Sequence, residues 1–323
     1  MTRTCRRVAI CVAVAVWAVA GVGWAADYPT REVTLIVAPG AGGGTDLLFR
    51  ALAKATEPFL GKPILVVNRP GAAGAIGHAE IARAKPDGHT LGAVLQQIHL
   101  PFMRPELSYR WTDFTYIMMV NADPMVFAVK ADSPLKTLKD LVEAAKQNPG
   151  KVTVGNCGLG CISHIAAGLL ERAGGVKFQH VPFNGHSPGR TTLLGGHLDV
   201  MMLTPPEAAD YVKANQIRVL AVASDKRDAI IPDAPTTAEA GFPLVAQGWR
   251  SLGGPKGIPA DVQQKIHDAF KKGLEQPSVQ EFMQKAGFPL LYMNSAELLS
   301  YAQKERADWR DTLKRLDLLK APD

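Results

Sequence analysis

Aromatic residues are scarce in this chain: they make up 7% of 323 residues, against 47% apolar residues overall. Core volume must therefore come from aliphatic side chains on many short elements, which Gly (30) and Pro (23) would connect. Long polar or low-complexity tracts are absent, which excludes a disordered chain. A strong charge of one sign is absent too. The formal net charge is +6, and three of those positive residues, Arg3, Arg6 and Arg7, precede the apolar run Val8 to Val22. With Gly23-Trp24-Ala25 behind it, that run reads as a secretory signal peptide over residues 1–25, cut after Ala25 or Ala26. Ala18-Val19-Ala20 is a second possible cut. A run this short, followed by polar sequence, does not make a membrane anchor. No second long apolar span follows, so the mature chain is expected to be soluble in the periplasm. Without the leader the charge falls from +6 to +3, which gives no reason to invoke nucleic acid.

Cysteine is nearly absent from the mature part. Cys5 and Cys11 leave with the leader, and only Cys157 and Cys161 remain. In an oxidising compartment two thiols this close can pair as a disulfide, with two free thiols as the alternative. The C-x3-C spacing, with no second Cys pair, argues against a metal site. No cofactor or metal is expected.

What is present is a repeated strand–turn–helix pattern. Val33 to Ala38 is a β-branched apolar run ending at Pro39 and glycine, which predicts a buried strand. A helix should follow from about Asp46, with Leu48, Leu52, Ala55 and Phe59 as its apolar stripe and Gly61-Lys62-Pro63 as its stop. Strands are expected at 64–68 and 90–96, with a helix at 73–84 between them. This is a parallel α/β unit. The pattern restarts with apolar runs at 114–120 and 125–129, a helix after Thr137, and a strand at 152–154. A second glycine-rich turn, 155–160, then leads into a helix at 163–172. Further strands are expected at 178–181, 200–203 and 219–222. The last third reads as helices opened by Pro259, by Pro277 and by Asn294 with Glu297. Two such halves predict two α/β lobes: 26–122 plus 225–323 as lobe one and 123–224 as lobe two. The chain would cross near Asn121 to Pro124 and again near 224–235.

The turn Pro39-Gly40-Ala41-Gly42-Gly43-Gly44-Thr45-Asp46 is the first candidate site. Free N–H groups and the macrodipole at a helix N-terminus attract anions, and glycines let a ligand approach the backbone. A P-loop would need Lys before its Ser or Thr, but Gly44 precedes Thr45. The dinucleotide pattern fails as well, since Thr45 stands where its third glycine belongs. With no Lys or Arg in the turn, N–H groups, hydroxyls and water would hold the anion. That suits a carboxylate better than a polyphosphate; a tight turn holding nothing is the alternative. The turn Gly155-Asn156-Cys157-Gly158-Leu159-Gly160 with Ser163 and His164 repeats the pattern in the other half. Two such N-termini would grip both ends of a dicarboxylate. Catalytic signatures are missing: there is no G-x-S-x-G and no H-E-x-x-H. The eight His residues show no metal-ligand spacing.

In their order and spacing the motifs resemble the Bug-type solute receptors of tripartite tricarboxylate transporters. The resemblance runs from Tyr28-Pro29 to the C-terminus. It rests on 38–46, Val67-Asn68-Arg69-Pro70-Gly71-Ala72 and Lys85-Pro86-Asp87-Gly88-His89-Thr90-Leu91. Ser163-His164-Ile165-Ala166, His180-Val181-Pro182-Phe183-Asn184-Gly185 and Gly195-Gly196-His197-Leu198-Asp199 extend it. It implies a two-lobed Venus-flytrap fold of the type II periplasmic-binding class that captures a carboxylate between its lobes. It implies contacts from Ala41, Gly42, Gly43, Gly44, Thr45 and Asp46 in lobe one, and from Asn156, Gly158, Ser163 and His164 in lobe two. Phe183, Asn184, Gly185, Thr204 and Pro205 would line the same cleft. Gln97 and His186 depart from the family's smaller residues, and facing the cleft they would select a further polar group on the ligand. The expected partners are a small organic carboxylate and the membrane permease subunits, for a receptor that is itself a monomer. A carboxylate sensor acting on a membrane kinase is the alternative role. An exported enzyme using Cys157 or Cys161 with His164 is another.

Overall fold

The computed structural model describes residues 28–320 apart from Gly43 and Asn184. The expected leader therefore lies outside the described residues. Eleven strands and nine α-helices form two mixed sheets within that span.

The first sheet begins as expected. β1 (Val33–Val37) pairs in parallel with β2 (Ile64–Asn68) and with β3 (Thr90–Leu95). Helices α1 (Gly44–Leu60) and α2 (Ala75–Arg83) make the crossovers. The buried face of α1 is Leu48, Phe49, Leu52, Ala53, Thr56 and Leu60, whereas Phe59 is exposed. The stripe advances by three and four residues from Leu48 and Phe49, and that register turns Phe59 outward. Beyond β3 the sheet continues with β10 (Gln247–Pro255), β4 (Phe114–Pro124) and β11 (Leu290–Asn294), all antiparallel to their neighbours. The strand order is β2-β1-β3-β10-β4-β11. β4 does not end at Val120; it runs on through Pro124 because β10 pairs along its whole length.

The second sheet has the order β7-β6-β8-β5-β9. Its strands are β5 (Val126–Lys130), β6 (Thr153–Asn156), β7 (Gln179–Pro182), β8 (Val200–Leu203) and β9 (Ile217–Val222). Its helices are α3 (Leu138–Gln147), α4 (Ile162–Gly174), α5 (His186–Leu194) and α6 (Pro205–Lys213). β6, β7 and β8 are parallel, and β5 enters between β8 and β9 in the opposite sense. In each sheet the strand laid antiparallel beside the parallel trio is the first one built after the chain changes lobe.

The crossings are hydrogen-bonded to one another. The Met125 N–H donates to the Ala246 carbonyl at 2.9 Å, Ala223 N–H to Met125 at 2.8 Å, and Ala246 N–H to Ala223 at 3.0 Å. The return crossing thus lies at Ala246, later than the 224–235 expected. Ile231 and Ala234, placed by the sequence reading in lobe one, share a core with Val126, Met201, Leu203 and Val222 of lobe two. Burial of their apolar side chains in that core keeps the segment on the second sheet.

The C-terminal third adds α7 (Ala260–Leu274), α8 (Pro277–Ala286) and α9 (Ser295–Arg315). Asn294 caps α9 as expected, accepting the N–H groups of Ala296 and Glu297 at 3.0 Å each. α9 buries Leu298, Ala302, Trp309 and Leu313. It packs on β4 of the first lobe, and its Thr312, with Leu316 just beyond its end, lies against Gly168 of α4 in the second. One apolar core therefore spans both sheets, containing Met119 and Trp249 on one side and Val154 and Ile165 on the other. No helix of the described residues is long and apolar enough to cross a membrane.

Candidate functional site

At the junction of the lobes Gln96, just past β3, and Ile162, at the start of α4, both lie within 4 Å of where a Cβ on Gly248 would stand. Pro206 of α6 sits 2.8 Å from where a Cβ on Gly287 would lie, and Met103 fills the space over Gly160. Both contacts join the two lobes.

In lobe one, β1 ends at Val37 and α1 starts at Gly44. Gly42 has φ +78°, in the region that favours glycine, and the Phe288 ring occupies the space a Cβ on Gly44 would need. Asp46 is buried and closes the turn on itself. Its carboxylate accepts the Gly42 N–H at 2.8 Å, Arg50 Nε at 3.0 Å and Asn68 Nδ2 at 2.9 Å. Asn68 also donates to the Pro39 carbonyl at 3.1 Å. Burial pushes the Asp46 pKa up, but Arg50, Gly42 and Asn68 together outweigh it and hold the carboxyl below its ordinary range. An ionised carboxylate engaged this way shapes the turn from within. Ala41 is exposed and contributes backbone only. Gln97, just past β3, keeps a buried Oε1 with no hydrogen-bond partner.

Lobe one also holds a cation that sequence reading missed. Arg250 of β10 reaches across the sheet end, and its Nε donates to Thr45 Oγ1 at 2.9 Å. Its Nη1 bonds Asn121 and Asp123 of β4, and the guanidinium lies 5.0 Å over the Phe288 ring. Gln247 to Pro255 holds three glycines and a proline and carries no strand signature, so nothing in the chain order placed Arg250 beside Thr45.

In lobe two, β6 ends at Asn156 and α4 begins at Ile162 with no side-chain cap. Asn156 is fully buried. Its Oδ1 accepts the Gly158 N–H at 3.1 Å, and its Nδ2 has no partner. Cys157 and Cys161 form a disulfide with their Cα atoms 6.2 Å apart. The buried Ser163 hydroxyl accepts the Cys157 N–H at 2.9 Å and donates to Cys157 Sγ at 3.2 Å. His164 Nδ1 accepts the Gly160 N–H at 2.9 Å. Burial, with the neighbouring His180 second, pushes its pKa down to about 3, so the ring is neutral and fixes the turn as an acceptor.

His186 opens α5, whose N-cap Gly185 also offers no side-chain cap. The ring lies between Glu207, 3.0 Å from Nδ1, and Ser163 Oγ, 3.4 Å from Nε2. Glu207 accepts the N–H and hydroxyl of Thr204 at 2.9 Å each, the capping box of α6, which Pro205 opens. Burial pushes the Glu207 carboxyl up, but bonds from His186 and Thr204 bring it below the ordinary range. The line Ser163–His186–Glu207 has the order of a hydrolase triad. The Ser163 hydroxyl, however, is buried and tied to the disulfide, so it presents no nucleophile. Phe183 packs behind the turn against Gly155 and Gly189. Gly43 and Asn184 lie outside the described residues. Among the described residues no group of three or more His, Cys, Asp or Glu could hold a metal ion.

The family described as tripartite tricarboxylate transporter family receptor matches residues 48–318. A TctC solute-binding protein from Polaromonas superposes with a TM-score of 0.82 at 32% identity, over 89% of this chain and 99% of that one. MatC from Rhodopseudomonas palustris, solved with bound malate, is 28% identical with a TM-score of 0.71, over 88% and 100% of the two chains. A second R. palustris protein, solved with adipate, is 28% identical with a TM-score of 0.74, over 89% and 98%. The fold is thus the two-lobed α/β type of periplasmic binding proteins, as the sequence led us to expect.

Proposed function

Because this chain belongs to the receptor family of the tripartite tricarboxylate transporters, the Bug-type solute-binding proteins, we propose that it captures a small carboxylate between its lobes in the periplasm and delivers it to membrane permease subunits. The observation that carries this reading is a buried donor left without an acceptor beside the lobe-two turn. Helices α4 and α5 begin without side-chain caps, and the buried Asn156 Nδ2 beside them has no acceptor. A buried amide N–H without a partner costs about 1–3 kcal/mol, and a carboxylate oxygen would supply the missing acceptor. In lobe one the Thr45 hydroxyl, already accepting from Arg250, keeps its own proton for an anion. The Ala41–Asp46 and Asn156–His164 segments then act as two jaws. Asp46, Ser163 and His164 hold the jaws in shape, while Thr45, Asn156, Gln97 and His186 meet the ligand directly or through water. Closure would turn about the paired crossings at Met125, Ala223 and Ala246.

Malate and adipate are bound by relatives, and a thermal-shift panel of mono-, di- and tricarboxylates tests the reading on this chain. A carboxylate present at about 100 times its Kd should raise stability by about 2.7 kcal/mol. A panel in which sugars or cations raise the melting temperature and no carboxylate does would overturn the proposal.

A further inference from the structure

Arg250 reaches Thr45 at the N-terminus of α1 from a neighbouring strand, and three features show that it is held for use rather than merely buried. Its charge is offset by Asp123, a neighbour on the same sheet whose side chain is 8% exposed. Its plane is fixed from three sides: Nε on Thr45, Nη1 on Asn121 and Asp123, and the face on Phe288. Its side chain nevertheless remains 17% exposed, and no hydrogen bond of Nη2 is recorded among the described residues. The register puts Arg250 opposite Leu95 and Asn121, at the end of the sheet where the first glycine turn lies.

We propose that Arg250 is a specificity-determining residue that makes the lobe-one jaw select an ionised carboxylate over a neutral isostere. This rests on the carboxylate-receptor reading and adds to it. Backbone N–H groups and a hydroxyl already favour a carboxylate oxygen over a carboxamide oxygen through its charge. A guanidinium widens that preference, because it sets a full positive charge against the ionised acceptor. The Thr45 hydroxyl accepts from Nε of the same guanidinium that carries Nη2, so one carboxylate can engage both the hydroxyl and Nη2. Asp123 sets the strength of this preference, since it already takes part of the guanidinium's charge. Phe288 holds the guanidinium flat, so the donors are pre-oriented and little entropy is lost on binding.

The test is calorimetry on wild type, Arg250→Gln, Arg250→Lys and Asp123→Asn, with malate and adipate and with their diamides as probes. Thermal melts of each variant establish that it folds. Wild type should prefer each acid over its amide by about 100-fold, as charged hydrogen bonds favour. Arg250→Gln should reduce that ratio to about threefold by weakening the acid alone, and Arg250→Lys should lie between. Asp123→Asn should move the ratio the other way, tightening the acid by about fivefold, because the guanidinium then carries an unshared charge. A purely structural Arg250 would weaken acid and amide alike, and would make Asp123→Asn weaken both. Either result overturns the inference and leaves the receptor reading in place. Wild type that binds the acids no better than the amides overturns the inference together with that reading.

Discussion

Replacing Asp46 with alanine is expected to weaken carboxylate binding by about 100-fold while the chain still folds. Asp46 need not touch the ligand for this to happen. Its carboxylate gathers the Gly42 N–H, Arg50 and Asn68 into one buried knot, and Asn68 in turn holds the Pro39 carbonyl. Without it, the N–H of Gly42 loses its acceptor, and the segment from Pro39 to Gly44 loses the bond that fixes its shape. Carboxylate capture by N–H groups depends on their being aimed before the ligand arrives. The loss therefore falls mainly on affinity. The stability cost should stay at about 2 kcal/mol, because Arg50 is half exposed and water replaces its lost partner. Calorimetry with malate and adipate checks the affinity and a urea melt checks the fold. Affinity within twofold of wild type would show that the turn keeps its shape without Asp46.

The largest stability effect is expected behind the cleft. Glu305 of α9 accepts the indole N–H of Trp249 at 2.6 Å and lies 3.1 Å from His99 Nε2. Trp249 and His99 are fully buried. Glu305→Leu leaves the indole N–H and the imidazole without their acceptor in an apolar core, at a cost of about 3–4 kcal/mol. Because α9 also packs against α4, the loss should loosen the junction between the lobes as well as lobe one. A drop in melting temperature of about 6 °C follows for a domain of this size. Glu305→Gln keeps an acceptor and should lose less than half as much. A melt of Glu305→Leu within a degree of wild type would mean that α9 repacks and the bonds are dispensable.

The parallel half of each sheet was legible in the sequence. Val33 to Val37, Ile64 to Asn68 and Thr90 to Leu95 are largely apolar runs that begin or end at a glycine–proline turn, and they form β1, β2 and β3. The caps at Thr137 and Asn294 were legible for the same reason, since each is a local hydrogen-bond pattern. β10 was not, because Gln247-Gly248-Trp249-Arg250-Ser251-Leu252-Gly253-Gly254-Pro255 has little intrinsic strand preference. It is a strand because β3 and β4 flank it on both sides, and pairing of that kind overrides local propensity. That hidden strand carries Arg250, so the sequence described a jaw without a cation where the structure supplies one. Asp46, Ser163 and His164 stand out in the sequence as members of the two turns. Their roles as internal braces depend on contacts to Arg50, Asn68, Cys157 and Gly160 that periodicity does not report. The domain boundary slipped in the same way, because Ile231 and Ala234 join the lobe-two core only through packing.

In the proposed function one anion bridges both glycine turns. Amide NMR on 15N-labelled protein, titrated with malate and with adipate, tests it residue by residue. The amides of Gly42, Gly44 and Thr45 in lobe one and of Cys157, Gly158 and Leu159 in lobe two are expected to shift together, along one saturation curve. Shifts confined to a single lobe, or centred on the outer groove at Lys130 to Asp132, would contradict it.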